Sequence, residues 1–156
     1  MERLTTTISQ ADIDRQLSFC RAIAARNAER PQPPLAFVDT YGCQQNEADS
    51  ERIRGYLSQM GYGFTDQEEQ AQIIVLNTCA IREHAEQRVL GNLGALVHVK
   101  RRHPEQIICV CGCMAQEQHV ADKIRQSFRH VDLVFGPHVL WKFPEFIHTL
   151  LTSRGR

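Results

Sequence analysis

Residues 72–113 read QIIVLNTCAIREHAEQRVLGNLGALVHVKRRHPEQIICVCGC. Two short runs, IIVL and IICV, are apolar throughout and bounded by polar or turn residues. That is the pattern of a strand buried on both faces. Between them, residues 81–102 carry helical periodicity and stop before Pro104, whose ring ends a helix. A strand, a helix and a second strand in this order imply a right-handed crossover between parallel neighbours.

The same alternation continues in both directions. Upstream, LAFVDT (35–40) is a further strand that stops at the turn TYGCQQN. Residues 46–61 then read as a helix, with Ile53, Leu57 and Met60 on one face and Gly61 at its end. GYGFTD (61–66) is a short strand candidate, and TDQEEQAQ (65–72) offers a capping-box start for a helical turn. Downstream, residues 114–130 form a helix, VDLVFG (131–136) a strand, and residues 137–151 a proline-interrupted helix. The predicted architecture is α/β: a doubly wound parallel sheet, flavodoxin-like. Residues 9–29 add an amphipathic helix, with Ile13, Leu17, Cys20 and Ala24 at helical spacing and Ser9 or Asp12 as its cap. RPQPP follows as a stiff spacer. Residues 1–33 therefore read as a helical appendage with its linker, and residues 34–156 as the main domain.

Composition narrows the function classes. At 156 residues the chain suits one domain that buries its core without disulfide staples. No apolar run approaches a membrane span, and the N-terminus lacks a signal-peptide core, so a cytoplasmic protein is expected. Acidic and basic residues balance at 18 each, whereas a domain that grips nucleic acid alone shows a basic excess. Any phosphate grip must come largely from elsewhere.

Six cysteines are present: Cys20, Cys43, Cys79, Cys109, Cys111 and Cys113. In a reducing compartment these point to metal binding, catalysis or burial before disulfides. Three of them share a position. Cys43, Cys79 and Cys113 each follow the carboxyl end of a predicted parallel strand and precede a helix. Strand carboxyl ends form the ligand crevice of such sheets, so the three are expected to converge. Helix N-termini favour the thiolate form. Gly42 and Gly112 permit tight turns beside two of the three, and Thr40, Asn46, Asn77 and Thr78 are candidates to bond sulfur or shape the turns. Two readings stay open from position alone: three small buried residues in turns, or thiolate ligands. A structural zinc site takes four protein ligands, and iron–sulfur clusters use cysteine thiolates.

The blocks TYGCQQNEADS, VLNTCAIREHAEQRV and GCMAQ, followed by VDLVFGP, resemble the N-terminal domain of the tRNA methylthiotransferases of the MiaB type. The resemblance runs from about Leu35 to about Leu151. It implies that Cys43, Cys79 and Cys113 hold an auxiliary 4Fe–4S cluster. It also implies a parent enzyme that attaches a methylthio group to an isopentenylated adenosine next to the tRNA anticodon, using S-adenosylmethionine as methyl donor and radical source. This sequence lacks the CxxxCxxC motif of the radical-SAM domain. That domain with its own 4Fe–4S cluster, and a C-terminal RNA-binding domain, are expected in cis after residue 156, and the 156 residues alone are expected to be inactive. TYGCQQN and NTCAIRE lean toward the isopentenyl substrate over threonylcarbamoyl adenosine or a ribosomal protein. Two other classes are a flavodoxin-like module for a nucleotide or flavin, for which TYGCQQN lacks the glycines of a phosphate loop, and a zinc or thiol-redox domain built on Cys109, Cys111 and Cys113, whose spacing suits zinc poorly.

The remaining candidates divide between function and packing. If the strand reaches Cys113, then Cys109, Cys111 and Cys113 share one face, as extra ligands, a sulfur relay or core. Cys20 reads as core. Arg82 and Glu83 are either partners of the cluster or an exposed helix start. Lys100, Arg101, Arg102 and His103 either touch phosphate or offset a helix dipole. His138 is the histidine nearest a strand end.

Overall fold

A computed structural model of the chain describes residues 8–41, 44–78, 83–116 and 118–153. In chain order the elements are α1 (Gln10–Ala28), β1 (Leu35–Tyr41), α2 (Gln44–Gln59), β2 (Gly63–Phe64), β3 (Ile73–Thr78), α3 (Glu83–Arg102), β4 (Ile107–Gly112), α4 (Cys113–Gln116), α5 (Gln118–Ser127), β5 (Leu133–Phe135) and α6 (Phe143–Ser153). A 3₁₀ turn at Glu68–Gln70 and a 3₁₀ segment at Pro137–Lys142 complete them. All five strands are parallel, in the order β2-β1-β3-β4-β5. This is the flavodoxin-like order, with its switch point between β1 and β3.

The two central strands read as they pack. Every residue of β3 and of β4 is buried. Alternate residues serve opposite cores. Ile73, Val75, Ile107, Cys109 and Cys111 face α1, α2 and α6, meeting Cys20, Ile23, Ile53, Leu57 and Phe143. Ile74, Leu76, Ile108 and Val110 face α3 and α5, meeting Val89, Leu93, Leu96, Val120 and Ile124. The edges β2 and β5 are only two and three residues long, which limits edge-to-edge pairing.

Helix α1 is woven into this core. Ser9 caps it, accepting from the Asp12 N–H while the Asp12 carboxylate accepts from the Ser9 N–H. Cys20 and Ile23 are buried. Buried Asn27 donates to the Met60 carbonyl at 2.9 Å, and Gln16 bonds both the side chain and the backbone N–H of Glu145 on α6. The segment read as an appendage thus forms one layer with α2 and α6.

Two local expectations differ from the structure. The turn at Glu68–Gln70 has no side-chain cap. Thr65 instead accepts from the Gln67 N–H at 3.0 Å and donates to Gln70, because the turn starts after Gln67 and Thr65 stands two positions before its N-cap. The helix expected over residues 114–130 ends at Ser127, and Glu117, between α4 and α5, lies outside the described residues.

Candidate functional site

The strand carboxyl ends are level. In the pairing register Tyr41 lies opposite Thr78, and Thr78 opposite Gly112. With parallel strands about 4.8 Å apart, these three ends span about 10 Å. Cys43 follows Tyr41 by two residues, Cys79 follows Thr78 by one, and Cys113 follows Gly112 by one. Cys43 and Cys79, with Gly42 and Arg82, lie outside the described residues, as does the side chain of Glu83. Cys113 is the first residue of α4 and is exposed. No group of three metal-ligating side chains occurs among the described residues.

A buried polar network underlies these ends. Asn46, Ser50, Asn77 and Thr78 are all at most 3% exposed. Asn77 Nδ2 donates to the Asn46 carbonyl at 2.7 Å and to Ser50 Oγ at 2.9 Å. Asn46 Nδ2 donates to the Thr78 carbonyl at 2.9 Å and, at 3.4 Å, to Asn77 Oδ1. Thr40 and Ser50 hydroxyls share a bond of 2.7 Å. Thr78 Oγ1 donates to the Cys111 carbonyl at 2.7 Å. The bonds made by Thr40, Asn46, Asn77 and Thr78 tie the strand ends to one another and to the start of α2, while the turns that carry Cys43 and Cys79 lie outside the described residues. Ser50 joins them. Its signal in the sequence is phase: Asn46, Ser50, Ile53, Leu57 and Met60 follow one helical stripe, so the two polar members belong to the buried face.

Gly112 closes the arrangement. Its φ is +99°, and a Cβ there would lie 2.2 Å from the Thr78 carbonyl oxygen and 2.6 Å from Asn77 Oδ1. Only glycine allows β4 to end this close to β3. The kink also separates the three clustered cysteines. Cys109 and Cys111 point into the core beside Ile73 and Phe135, while Cys113 leaves the strand. Burial, with the negative charge of Asp49, pushes the Cys111 thiol far above its ordinary pKa. Cys20 is likewise raised to about 11 by burial. Both side chains are packed among the apolar residues of the core. On β1, Tyr41 turns to the opposite face, where its hydroxyl accepts from Asn92 Nδ2 at 2.8 Å.

The basic run at the end of α3 is largely neutralised. Lys100 pairs with Asp132 at 2.7 Å. Arg102 holds Glu69 through two bonds of 2.7 Å, and His103 meets the same carboxylate at 3.2 Å. His138 is exposed on the 3₁₀ segment. An open cleft of about 620 Å³, lined by Arg26, Arg30, Tyr62, Lys100 and Asp132, lies at the amino ends of the strands. That is the opposite end of the sheet from the ligand crevice of this fold. No described helix is long and apolar enough to cross a membrane.

The model of the family described as "Uncharacterized protein family UPF0004" matches residues 36–136, from β1 to the end of β5. A tRNA-2-methylthio-N(6)-dimethylallyladenosine synthase of Clostridioides difficile (strain 630) is 41% identical over 156 residues, covering 97% of this chain and 33% of the relative. Proteins of the same name from Alkaliphilus oremlandii (strain OhILAs) and Clostridium perfringens (strain SM101 / Type A) are 41% and 48% identical, covering 99% and 75% of this chain. The chain spans about a third of the length of these curated relatives, 32% and 26% in the last two. The match to residues 36–136 takes in all three cysteine blocks, and the chain belongs to this family, UPF0004.

Proposed function

We propose that this chain is the cluster-holding N-terminal domain of a tRNA methylthiotransferase, with Cys43, Cys79 and Cys113 as the iron ligands of an auxiliary 4Fe–4S cluster. The observation that carries the reading is the level register of Tyr41, Thr78 and Gly112, each followed within two residues by a cysteine. The donor chemistry fits. Cys113 is solvent-facing at a strand end, while Cys111, two residues earlier, is buried and held as a thiol. Three protein thiolates leave one iron of a four-iron cluster open to an exogenous ligand. When bound, such a cluster supplies the sulfur for methylthio transfer. The chain's own part is to hold three thiolates at fixed spacing on a rigid sheet.

The names of the relatives favour the dimethylallyl (isopentenyl) adenosine of tRNA as the substrate of the complete enzyme. On this reading residues 34–156 are the methylthiotransferase domain, and S-adenosylmethionine, the radical-SAM domain with its own cluster and the main tRNA grip belong to the rest of the parent protein. The balanced charge of this chain, 18 acidic against 18 basic residues, suits that division.

The test is anaerobic iron–sulfur reconstitution with iron and sulfide analysis. About four irons and four sulfides per chain are expected, with occupancy lost in Cys43→Ala, Cys79→Ala and Cys113→Ala but kept in Cys109→Ala. Full iron retention in all three single variants would overturn the assignment.

A further inference from the structure

We infer that Asn77 is a positioning residue for the three cysteines, tying together the strand ends and the helix start that flank them, with Asn46 and Thr78 as its arms. The inference rests on the cluster reading above. Asn77 and Thr78 are the last two residues of β3, directly before Cys79. Toward α2, the Asn77 carboxamide donates to the Asn46 carbonyl and to Ser50, anchoring the first turn of the helix that follows Cys43. In return Asn46 donates to the Thr78 carbonyl. A peptide unit is planar, so holding that oxygen constrains the link into Cys79. Toward β4, Thr78 Oγ1 holds the Cys111 carbonyl, and Gly112 admits the Thr78 backbone and Asn77 Oδ1 at distances no Cβ would tolerate. One dipeptide in the central strand is thereby bonded to the elements flanking the other two cysteines.

Stability alone does not account for this choice of residues. Strand β3 begins IIVL, and a fifth apolar residue would continue a strand already buried on both faces. Replacing all the partners of a buried hydrogen-bonded set by apolar groups of like shape can be neutral or stabilising. A fully satisfied buried polar network specifies one geometry instead, and groups behind metal ligands typically alter metal affinity 10- to 100-fold when removed.

The experiment compares the wild-type chain with Asn77→Ala, Asn77→Asp, Asn46→Ala and Ser50→Ala after anaerobic reconstitution. Iron per chain, the rate of iron loss to a chelator and the electron paramagnetic resonance signal of the reduced cluster are measured beside urea denaturation and far-UV circular dichroism. Ile23→Ala, which loosens the core away from the strand ends, serves as the stability control. Folded Asn77 variants are expected to lose iron about ten times faster than wild type and to show an altered resonance signal. Asn77→Asp fails with them because it cannot donate to Asn46 and Ser50. Ile23→Ala keeps the wild-type signal and rate. Should Asn77→Ala not fold, Ser50→Ala, which removes one acceptor from the same carboxamide, is read in its place with the same expected direction. Wild-type iron loss and signal in the folded network variants overturn this inference alone. A folded wild-type chain that takes up no iron overturns the cluster reading and this inference with it.

Discussion

Replacing Gly112 by alanine puts a single methyl group where the structure has no space. The residue sits at φ +99°, a region that costs an L-residue about 1–3 kcal/mol. The new Cβ would stand 2.2 Å from Thr78 O and 2.7 Å from Thr78 N. Both are backbone atoms of the neighbouring central strand, so no side-chain rotation relieves the clash. The end of β4 must move away from β3, and overpacking of this kind costs about 1–3 kcal/mol. That movement also loosens the Thr78 Oγ1 bond to the Cys111 carbonyl, worth about 1 kcal/mol. The total is about 3–7 kcal/mol, a large part of the ~5–15 kcal/mol that holds a typical domain together. Gly91→Ala is the internal control. Gly91 lies inside α3, and a methyl group added there would meet nothing within 4 Å, so alanine should stabilise by about 0.5–1 kcal/mol. Urea denaturation of both variants gives the two numbers. A Gly112→Ala cost below about 1 kcal/mol would refute the reasoning, because neither the close approach nor the positive φ could then be as described.

Three further outcomes are expected. Ile23→Ala, in α1, should destabilise the whole chain by about 2–4 kcal/mol in one cooperative urea transition; a change under about 0.5 kcal/mol would mean that α1 is a detachable arm. Pulse alkylation of the metal-free folded chain, mapped by mass spectrometry, should label exposed Cys113 quickly and leave Cys20 and Cys111, buried to within 2% and 1%, unlabelled until unfolding; rapid native labelling of Cys111 counts against its place in the core. Glu69 is held down to about 2, chiefly by the Arg102 guanidinium and then by His103, against an ordinary value of 4.5. Because its folded pKa is depressed, its contribution is present above about pH 4.5 and is lost as pH falls toward 2. The difference in urea midpoint between wild type and Glu69→Gln should therefore shrink across that window, and also with added salt since the pair is exposed. A difference that stays constant from pH 6 to about pH 2 is incompatible with the pairing.

The order of elements is a local property, and the sequence alone determined it. IIVL and IICV have to be strands because a continuous apolar run that ends at turn residues is stable only when both faces are covered. With helices between them, parallel pairing and a crevice at the carboxyl ends follow, and counting residues from the strand ends is what leads to the expectation that Cys43, Cys79 and Cys113 converge there. The start of α1 is legible for the same reason: the sequence offered Ser9 or Asp12 as its cap, and Ser9 is the cap with Asp12 bonding back to it within one turn. Tertiary structure decided what depends on partners far apart in the chain. The register that levels Tyr41, Thr78 and Gly112 is set by packing across three strands. The packing of α1 against α6 rests on Gln16 and Glu145, 129 residues apart. The neutralisation of Arg102 by Glu69 spans 33 residues. The division of CVCGC into buried Cys109 and Cys111 and exposed Cys113 turns on one backbone angle at Gly112, which the strand's alternation by itself does not reveal. A residue's type sets what it can do over one or two turns of chain; which distant group it meets is settled only when the layers close on each other.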